Sequence, residues 1–298
     1  MTYNWLGAEF VPFSITYGLS LIVLIAGSLT DLKTREVPDW VNYGLIICGV
    51  ALNLLFSAIY MKASFIINSL AGLIIFFAFS YIMFQTGQWG GGDSKMLMGL
   101  GSMIGIDVTF KNPQFLSGFF INALFAGAIY SLFWSIFLAV RNRKKFSKEI
   151  NKILSRKNIV AAKKFILYFL AFLAALFFFV SAYFWKISIL SAAFITLTTF
   201  YVWIFVRAIE KSSMYRLVEP SKLTEGDWIV RDIYVNKEYI SGPKDLGIEK
   251  RQIKKLVEFY KKGKVGRILI KEGIPFVPSF LIAFIVTFLF GNPLMWIL

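Results

Sequence analysis

The chain is dominated by long runs that contain no Asp, Glu, Lys or Arg. Seven of these runs reach the roughly 20 residues that a helix needs to cross the hydrocarbon core of a bilayer, and one is shorter. The eight runs are residues 11–30, 40–61, 63–92, 96–106, 112–140, 165–185, 187–206 and 273–298. With 57% hydrophobic residues, the chain is also too apolar for an ordinary soluble domain. A membrane protein is therefore expected.

The apolar runs are expected to form helices and not strands. They show no alternation of the kind that marks a membrane β-barrel. A helix satisfies its own backbone hydrogen bonds in lipid, whereas an open strand or loop does not. The predicted class is an all-α polytopic membrane protein with about eight transmembrane helices and a small α+β cytosolic insertion.

The basic residues predict the orientation. If the helices alternate across the bilayer, all 32 Lys and Arg residues fall on one side except Lys62, Lys111 and Lys186. The positive-inside rule assigns the basic side to the cytosol. We therefore expect a multi-pass protein of the cell membrane with both termini outside. The net charge of +15 favours contact with anionic membrane lipids over binding of nucleic acid, which we do not expect.

Two polar segments interrupt the apolar runs and divide the chain. Residues 141–164 are basic, and their apolar residues at helical spacing predict a connector helix along the membrane surface: Phe146, Ile150, Ile153 and Leu154. Residues 207–272 predict a small α+β domain. Its expected elements are a strand at 227–235, a turn at Asn236-Lys237, a helix at 248–260 and a second strand at 266–271. The predicted divisions are thus 1–140, 141–164, 165–206, 207–272 and 273–298.

Several kinds of catalytic site are excluded by composition. The chain has no histidine, which excludes Ser-His and Cys-His catalysis and histidine-bound zinc. Its one cysteine, Cys48, provides neither a Cys-rich metal site nor an internal disulfide, and we expect it to be a small core residue. No GxxxxGK[ST] phosphate-binding loop is present. Carboxylates remain as the groups able to carry a reaction.

Two aspartates are expected to meet at the cytosolic edge of the membrane. Asp31 ends the first apolar run, and Asp93 precedes the fourth within GQWGGGDSK. Alternating helices bring both residues to the same side. Two carboxylates held close together do not both ionise, so one keeps a proton while the other acts as a base toward water. This pair has the composition of an aspartic protease site.

Other functions fit some of the same residues. Asp93 is also a suitable helix cap, and Asp31 a suitable charge at a helix end, as in a purely structural membrane scaffold. A cation or proton transporter also uses acids at the membrane, but it favours acids in mid-helix, and the apolar runs contain none.

Three landmarks in the sequence resemble the type IV prepilin peptidase family, a group of GxGD membrane aspartic proteases. Gly90-x-Gly92-Asp93 resembles the GxGD motif. Asp31 followed by Arg35-x-Val37-Pro38-Asp39-Trp40 resembles the pattern after the family's first helix, and Gly273-Ile274-Pro275-Phe276-Val277-Pro278-Ser279-Phe280 resembles the start of the final helix in the archaeal preflagellin and prepilin peptidases. The resemblance implies a six-helix protease core, to which residues 165–206 add an extra hairpin.

The resemblance also implies an activity and roles for residues. It implies an aspartic endopeptidase that removes class III signal peptides from preflagellins (archaellins) or type IV prepilin-like proteins at the cytosolic face. The substrates carry a basic leader before a hydrophobic segment. Asp31 and Asp93 become the catalytic pair, without metal or other cofactor. A presenilin-like protease that cuts inside the membrane is the alternative within the same class.

Six further residues are expected around the pair. Gly90 and Gly92 are expected to let the chain turn tightly and to let substrate backbone approach the carboxylate. Glu36 and Asp39 are candidates for binding the basic leader, although Asp39 is better suited to helix capping. Pro278 and Ser279 lie where related proteases have a Pro-Ala-Leu element near the active site, and they are candidates for lining the substrate.

Overall fold

Six helices of the computed structural model, which describes residues 10–109 and 115–292, are long and apolar enough to cross a membrane. They are α1 (Phe10–Thr34), α2 (Asp39–Ile59), α3 (Ser64–Gln85), α5 (Phe115–Arg141), α7 (Lys157–Phe179) and α8 (Tyr183–Ile209). Two helices of 14 residues each, α4 (Gly91–Ile104) and α10 (Val277–Phe290), lie in the other two predicted runs. These helices confirm the prediction of a helical, multi-pass membrane protein.

Large apolar side chains are exposed along the outer faces of these helices. Phe178 and Phe179, at the end of α7, are 85% and 88% exposed, and similar residues occur on every long helix. A water-soluble surface does not carry so much contiguous apolar area. The exposed faces therefore suit contact with lipid.

The residues divide into two compact units. The first contains residues 1–132, 219–266 and 272–298, and the second contains residues 133–218 and 267–271. The first unit holds both predicted catalytic aspartates.

Within the first unit, α4 packs against α2 and α3 through small and polar residues. Gly101 of α4 and Gly72 of α3 are in backbone contact, since a Cβ added to Gly101 would lie 2.5 Å from the Gly72 carbonyl oxygen. The amide of Asn53 on α2 donates to the carbonyls of Ser102 and Met103, at 3.2 and 3.1 Å. Small residues and interhelical hydrogen bonds are the usual means of close helix packing in membranes. They hold the short helix that begins near Asp93.

The last helix, α10, packs against α1 and also reaches the first part of α5. Phe284 of α10 lies beside Tyr17 of α1 and Phe115 of α5, with ring centroids 6.0 and 5.2 Å apart. Asn122 of α5 donates to the hydroxyl of Thr287, at 2.9 Å. The chain's last described helix is thus built into the core formed by its first.

In the second unit, the basic connector is a helix, α6 (Arg143–Leu154), as predicted. Its apolar residues pack with Ile204 and Ala208 of α8. Two boundaries differ from the prediction. The helix α7 starts at Lys157, inside the basic segment, and the break before α8 lies at residues 180–182 and not at Lys186. A single lysine at a helix end can extend its charge toward water, so it does not mark the helix boundary.

The polar segment after α8 contains short strands and one helix. A π-helical turn (Glu210–Met214) leads into β1 (Tyr215–Val218), which pairs antiparallel with β5 (Ile268–Lys271) in the second unit. The predicted strand at 227–235 is broken into β2 (Trp228–Ile229) and β3 (Ile233–Val235). Sequence alternation did not reveal this break.

The turn at Asn236-Lys237 and the helix after it are present as predicted. Both turn residues have positive φ, 51° and 68°, and they connect β3 to β4 (Glu238–Ser241) in a hairpin. Positive φ at both central residues is the geometry of a two-residue hairpin turn. The helix is α9 (Lys250–Lys261).

Two other expectations were wrong. Cys48 is exposed on α2 and is not a core residue. The final helix begins at Val277 and not at Gly273, because Pro275 disfavours the helical conformation at Ile274, whereas Pro278 is accepted in the first turn of a helix. Residues 293–298 of the predicted final helix lie outside the described residues.

Candidate active site

Asp31 is a buried carboxylate in the last two turns of α1. The residue is 5% exposed. Its Oδ2 accepts a hydrogen bond of 3.0 Å from the backbone N–H of Val277, the first residue of α10. Free amides at a helix N-terminus stabilise a negative charge, and so does the nearby guanidinium of Arg35. These contacts therefore offset part of the cost that burial imposes on the ionised form of Asp31.

Arg35 also links the end of α1 to the segment that precedes α10. Its Nη1 donates to the carbonyl of Gly273, at 2.9 Å. At the other end of that segment, the N–H of Val277, the first residue of α10, donates to Asp31. The two contacts tie both sides of the 273–277 segment to the same end of α1.

Asp93 is the third residue of α4 and is partly exposed. Its Oδ2 accepts a hydrogen bond of 3.1 Å from the N–H of Gly90, which stands at the N-cap position. This is the capping contact expected of an acid in a first helical turn. Asp93 thus has the capping role that the sequence also allowed, and it retains oxygen lone pairs for other partners.

The structure brings Asp31 and Asp93 into electrostatic reach of each other. The packing of α4 against α1, one helical turn before Asp31, explains how the two carboxylates approach each other. Met96 on α4 lies against Gly27 on α1, where an added Cβ would be 2.7 Å from the Met96 Cε and 3.4 Å from Val277 Cγ1. Three helices therefore meet at Gly27, four residues before Asp31. Because Gly27 has no side chain, Met96 and Val277 pack close to α1 here, and α1 and α4 can present their carboxylates to the same space.

The loop before Asp93 is held by an aromatic cluster. Trp89 is buried, and its ring lies 5.5 Å from Phe79, 5.6 Å from Phe276 and 5.4 Å from Phe280, measured between centroids. Phe276 and Phe280 belong to the start of α10, the helix that binds Asp31. The aromatic cluster thus connects the loop that carries one aspartate to the helix that contacts the other.

The glycines of the motif do not all share one role. Gly87 has φ +67°, so the tight turn after α3 is made there. Gly90 has φ −73° and ψ 164°, a conformation open to any residue. A Cβ on Gly92 would lie 3.6 Å from the N atom of Val37, an ordinary contact with the loop that follows α1. The tight turn expected at Gly90 and Gly92 is therefore made at Gly87.

The two other acids of the motif differ in their partners. Asp39 lies in the first turn of α2 without a capping hydrogen bond, and its Oδ1 lies 2.6 Å from the Nζ of Lys95. The same ammonium sits 5.0 Å from the centre of the Tyr43 ring. Glu36 is exposed in the loop between α1 and α2. The predicted cap at Asp39 is thus replaced by an ion pair with a residue that follows Asp93.

Pro278 and Ser279 are both buried in the first turn of α10. The Ser279 hydroxyl donates to the carbonyl of Phe276, at 2.7 Å. Ser279 and Phe276 also face Gly127 of α5, where an added Cβ would meet their side chains at 3.6 and 2.6 Å. In this conformation Pro278 and Ser279 form the start of α10, the helix whose first N–H donates to Asp31.

Sequence reasoning missed three features at or beside this site. One is the backbone amide of Val277, which carries no side-chain signal. The second is the aromatic cluster, for which Trp89 within the glycine motif was an available signal. The third lies beside the site and not in it: Asp227 of the insertion interacts electrostatically with Glu36, and its pKa is raised by burial and by the charges of Glu36 and Glu272.

Comparison with known proteins supports the predicted resemblance over the part of the chain that holds both aspartates. Residues 18–132 match the sequence profile of the type IV leader peptidase family. The chain is 38% identical over 90 residues to the preflagellin peptidase of Methanococcus maripaludis and 37% identical over 90 residues to that of Methanococcus voltae. Another preflagellin peptidase, from Methanocaldococcus jannaschii, is 38% identical over 90 residues. These matches cover 30% of this chain and 38–39% of each relative, so a part of the chain is similar to these preflagellin peptidases.

Proposed function

We propose that this protein is a membrane aspartic endopeptidase that removes leader peptides from preflagellins or type IV prepilin-like proteins. The observation that carries the proposal is the approach of Asp31 and Asp93 within the segment that matches the leader peptidase family. The names of the similar archaeal proteins supply the substrate class.

The proposed reaction is direct attack of water on the scissile carbonyl. One aspartate takes a proton from the water while the other gives its proton to the carbonyl oxygen, which yields a tetrahedral diol. The first aspartate then protonates the leaving amine, and the diol returns a proton to the second. Both carboxyl groups end in their starting states. No metal or other cofactor enters this scheme, as the sequence predicts.

The contacts of the two acids favour one division of roles. Asp31 is stabilised as an anion by the N–H of Val277 and by the charge of Arg35, so it suits the base. Asp93 lies in the field of Asp31 and accepts one N–H from Gly90, so it suits the acid. The two groups titrate as a coupled pair, and each observed pKa will belong to the pair.

We propose supporting roles for the other predicted residues. Gly90 and Gly92 leave the backbone beside Asp93 open to the substrate chain. Glu36 is exposed and suits a basic leader, whereas Asp39 must exchange Lys95 for a substrate cation. Pro278 and Ser279 fix the start of α10 and border the substrate only if that helix start opens.

The proposed topology follows the basic residues. It has eight crossings, with α4 and α10 as short ones, both termini outside, and the catalytic pair at the cytosolic face. Residues 1–140 and 273–298 form the protease core, 165–206 an extra hairpin, and 141–164 and 207–272 face the cytosol. Cysteines introduced singly in the loops, in a Cys48→Ser background, test each assignment with a membrane-impermeant thiol reagent.

The decisive experiment is cleavage of a preflagellin by the protein in reconstituted membranes. We expect Asp31→Asn and Asp93→Asn each to abolish cleavage while the helical content in detergent is unchanged. Asp107→Asn, beyond the other end of α4, is the matched control and should retain activity. Full activity in either variant of the pair would disprove the proposal.

The position of the cut separates the alternatives. Mass spectrometry of the product should place it before the hydrophobic segment of the substrate. A cut within that segment would instead indicate a presenilin-like protease. Cation or proton flux through vesicles without any cleavage would indicate a transporter.

A further inference from the structure

The insertion between α8 and α10 contacts the loop that carries the catalytic motif. The contact is made by the indole ring of Trp228, which is half-buried. A Cβ added to Gly87 would lie 2.7 Å from Cη2 and 3.1 Å from Cζ3 of that ring. The ring therefore packs directly on the backbone of Gly87, and no larger residue fits there without displacing it.

Gly87 is the point at which the chain leaves α3. Its positive φ and the hydrogen bond of its N–H to the carbonyl of Phe84, 2.9 Å, form the turn that ends the helix. From there the chain passes through Trp89 and Gly90 to Asp93. A shift at Gly87 is transmitted to Asp93 through only five intervening residues, and the aromatic contacts of Trp89 are the next restraint along the chain.

Trp228 follows a turn that is held in place by hydrogen bonds. The Asp227 carboxylate accepts the N–H of Thr224 at 2.9 Å, and the Asp227 carbonyl accepts the N–H of Ile248 at 3.0 Å. The N–H of Gly226 in turn donates to the carbonyl of Ile248, at 2.8 Å. Ile248 is 1% exposed and lies just before α9. The indole is therefore anchored to the buried core of the insertion.

We infer that Trp228 is a positioning residue for Asp93, and that the insertion holds the catalytic loop through this ring. The inference rests on the proposed function, because its effect on catalysis presupposes the Asp31–Asp93 pair. Trp228 acts through Gly87 and the loop, and it is not assigned a contact with the substrate. It lies outside the segment matched by the family profile, residues 18–132.

A positioning role predicts a change in turnover and not in substrate affinity. Because small displacements of catalytic groups cost up to about 100-fold in rate, we expect Trp228→Ala to lower kcat by about 10- to 100-fold with KM nearly unchanged. The pH–rate profile should also shift, because the separation of the two carboxylates sets how strongly they couple. Trp228→Phe keeps a ring on Gly87 and should recover most of the activity.

The test combines kinetics with hydrogen exchange in the full-length protein. Trp228→Ala should speed amide exchange at residues 87–93 and leave the amides of α9 protected. The matched control is Tyr234→Ala, which removes an exposed aromatic ring from the same insertion and should leave both regions and kcat unchanged. Hydrogen exchange reports on the contact between Trp228 and Gly87 without any substrate. A failure of the proposed function can therefore be distinguished from a failure of this inference.

Normal kcat in Trp228→Ala, or lost activity with unchanged exchange at 87–93, would overturn the inference. If Trp228→Ala unfolds α9, Gly87→Ala perturbs the same contact with the insertion sequence intact, and it also strains the turn because alanine disfavours positive φ. It should lower kcat and speed exchange in the loop. Adding Trp228→Ala to Gly87→Ala should then cost less than Trp228→Ala costs alone, because residues in contact are not additive. Additive effects would count against a shared contact.

Discussion

The amide of Val277 donates to the Asp31 carboxylate although the two residues are 246 positions apart in the chain. Val277 is the first residue of α10, a position at which proline is accepted because the N–H has no partner within the helix. Proline at 277 therefore removes the hydrogen bond to Asp31, but it also disfavours the αR conformation of Phe276, the residue before it (φ −102°, ψ −25°).

We predict that Val277→Pro lowers kcat by about 10-fold, since a hydrogen bond to a charged group contributes about 1.5–3 kcal/mol. The acid limb of the pH–rate profile should move to higher pH, because the Asp31 anion loses a donor. Val277→Ala keeps the amide and is the control for the lost side chain. If the acid limb is unchanged in Val277→Pro, the Val277 amide does not influence the ionisation of Asp31.

The contact of Gly27 with Met96 predicts a size limit on α1. Gly27→Leu should separate α1 from α4 and reduce cleavage by about 100-fold. Gly27→Ala should be milder, because the atom it meets is the flexible end of Met96. Gly18→Leu, where an added Cβ meets nothing within 4 Å, is the matched control on the same helix. Equal loss of activity in both leucine variants would contradict this account.

The negative charges of Glu36 and Asp39 should favour basic leader peptides over neutral ones. We expect Glu36→Lys or Asp39→Lys to raise KM for a Lys-rich leader by about 10-fold and to change a neutral leader little, because like charges repel. Lys95→Gln frees Asp39 from its ion pair and should lower KM for the Lys-rich leader. Comparable effects on both leaders would remove the recognition role.

The environment of Asp227 predicts a pH-dependent stability. Burial and the charges of Glu36 and Glu272 raise its pKa in the folded protein, so its contribution to stability is complete below the unfolded pKa and is lost as pH rises through the folded pKa. Asp227→Asn keeps an acceptor for the Thr224 amide and removes the charge. Thermal unfolding in nanodiscs should show the variant more stable than the parent at pH 7 and equal to it at pH 4. If Asp227→Asn is less stable than the parent at pH 7, the predicted direction of the pH dependence is wrong.

The metal-free scheme predicts that a strong chelator leaves cleavage unchanged. Activity of the reconstituted protein should stay within about twofold after dialysis against a chelator, because carboxylates alone carry the proton transfers. Loss of activity that zinc restores would reject the scheme.

The sequence was sufficient for features that depend on local patterns. Charge-free runs revealed the apolar helices found among the described residues, and the spacing of Phe146, Ile150 and Ile153 revealed α6. Two consecutive residues, Asn236 and Lys237, revealed a hairpin turn. The approach of Asp31 to Asp93 followed from helix alternation together with the motif.

Contacts between distant backbone atoms were not predictable in this way. The Val277 amide has no side chain to suggest its role, and the fit of Met96 against Gly27 depends on packing that the sequence does not encode locally. The partner of Asp39 was missed because Lys95 lies on another helix. Trp228 gave no signal beyond the alternation of a strand, and that alternation concealed the break between β2 and β3.

The place of α10 in the chain has a consequence for biosynthesis. Asp31 and Asp93 both leave the ribosome before the insertion, but the amide that serves Asp31 belongs to α10, which follows the insertion. A nascent chain that has inserted its first helices already carries both acids and still lacks the partner of one of them. If the proposed function holds, the site would therefore be complete only after the insertion and α10 have emerged.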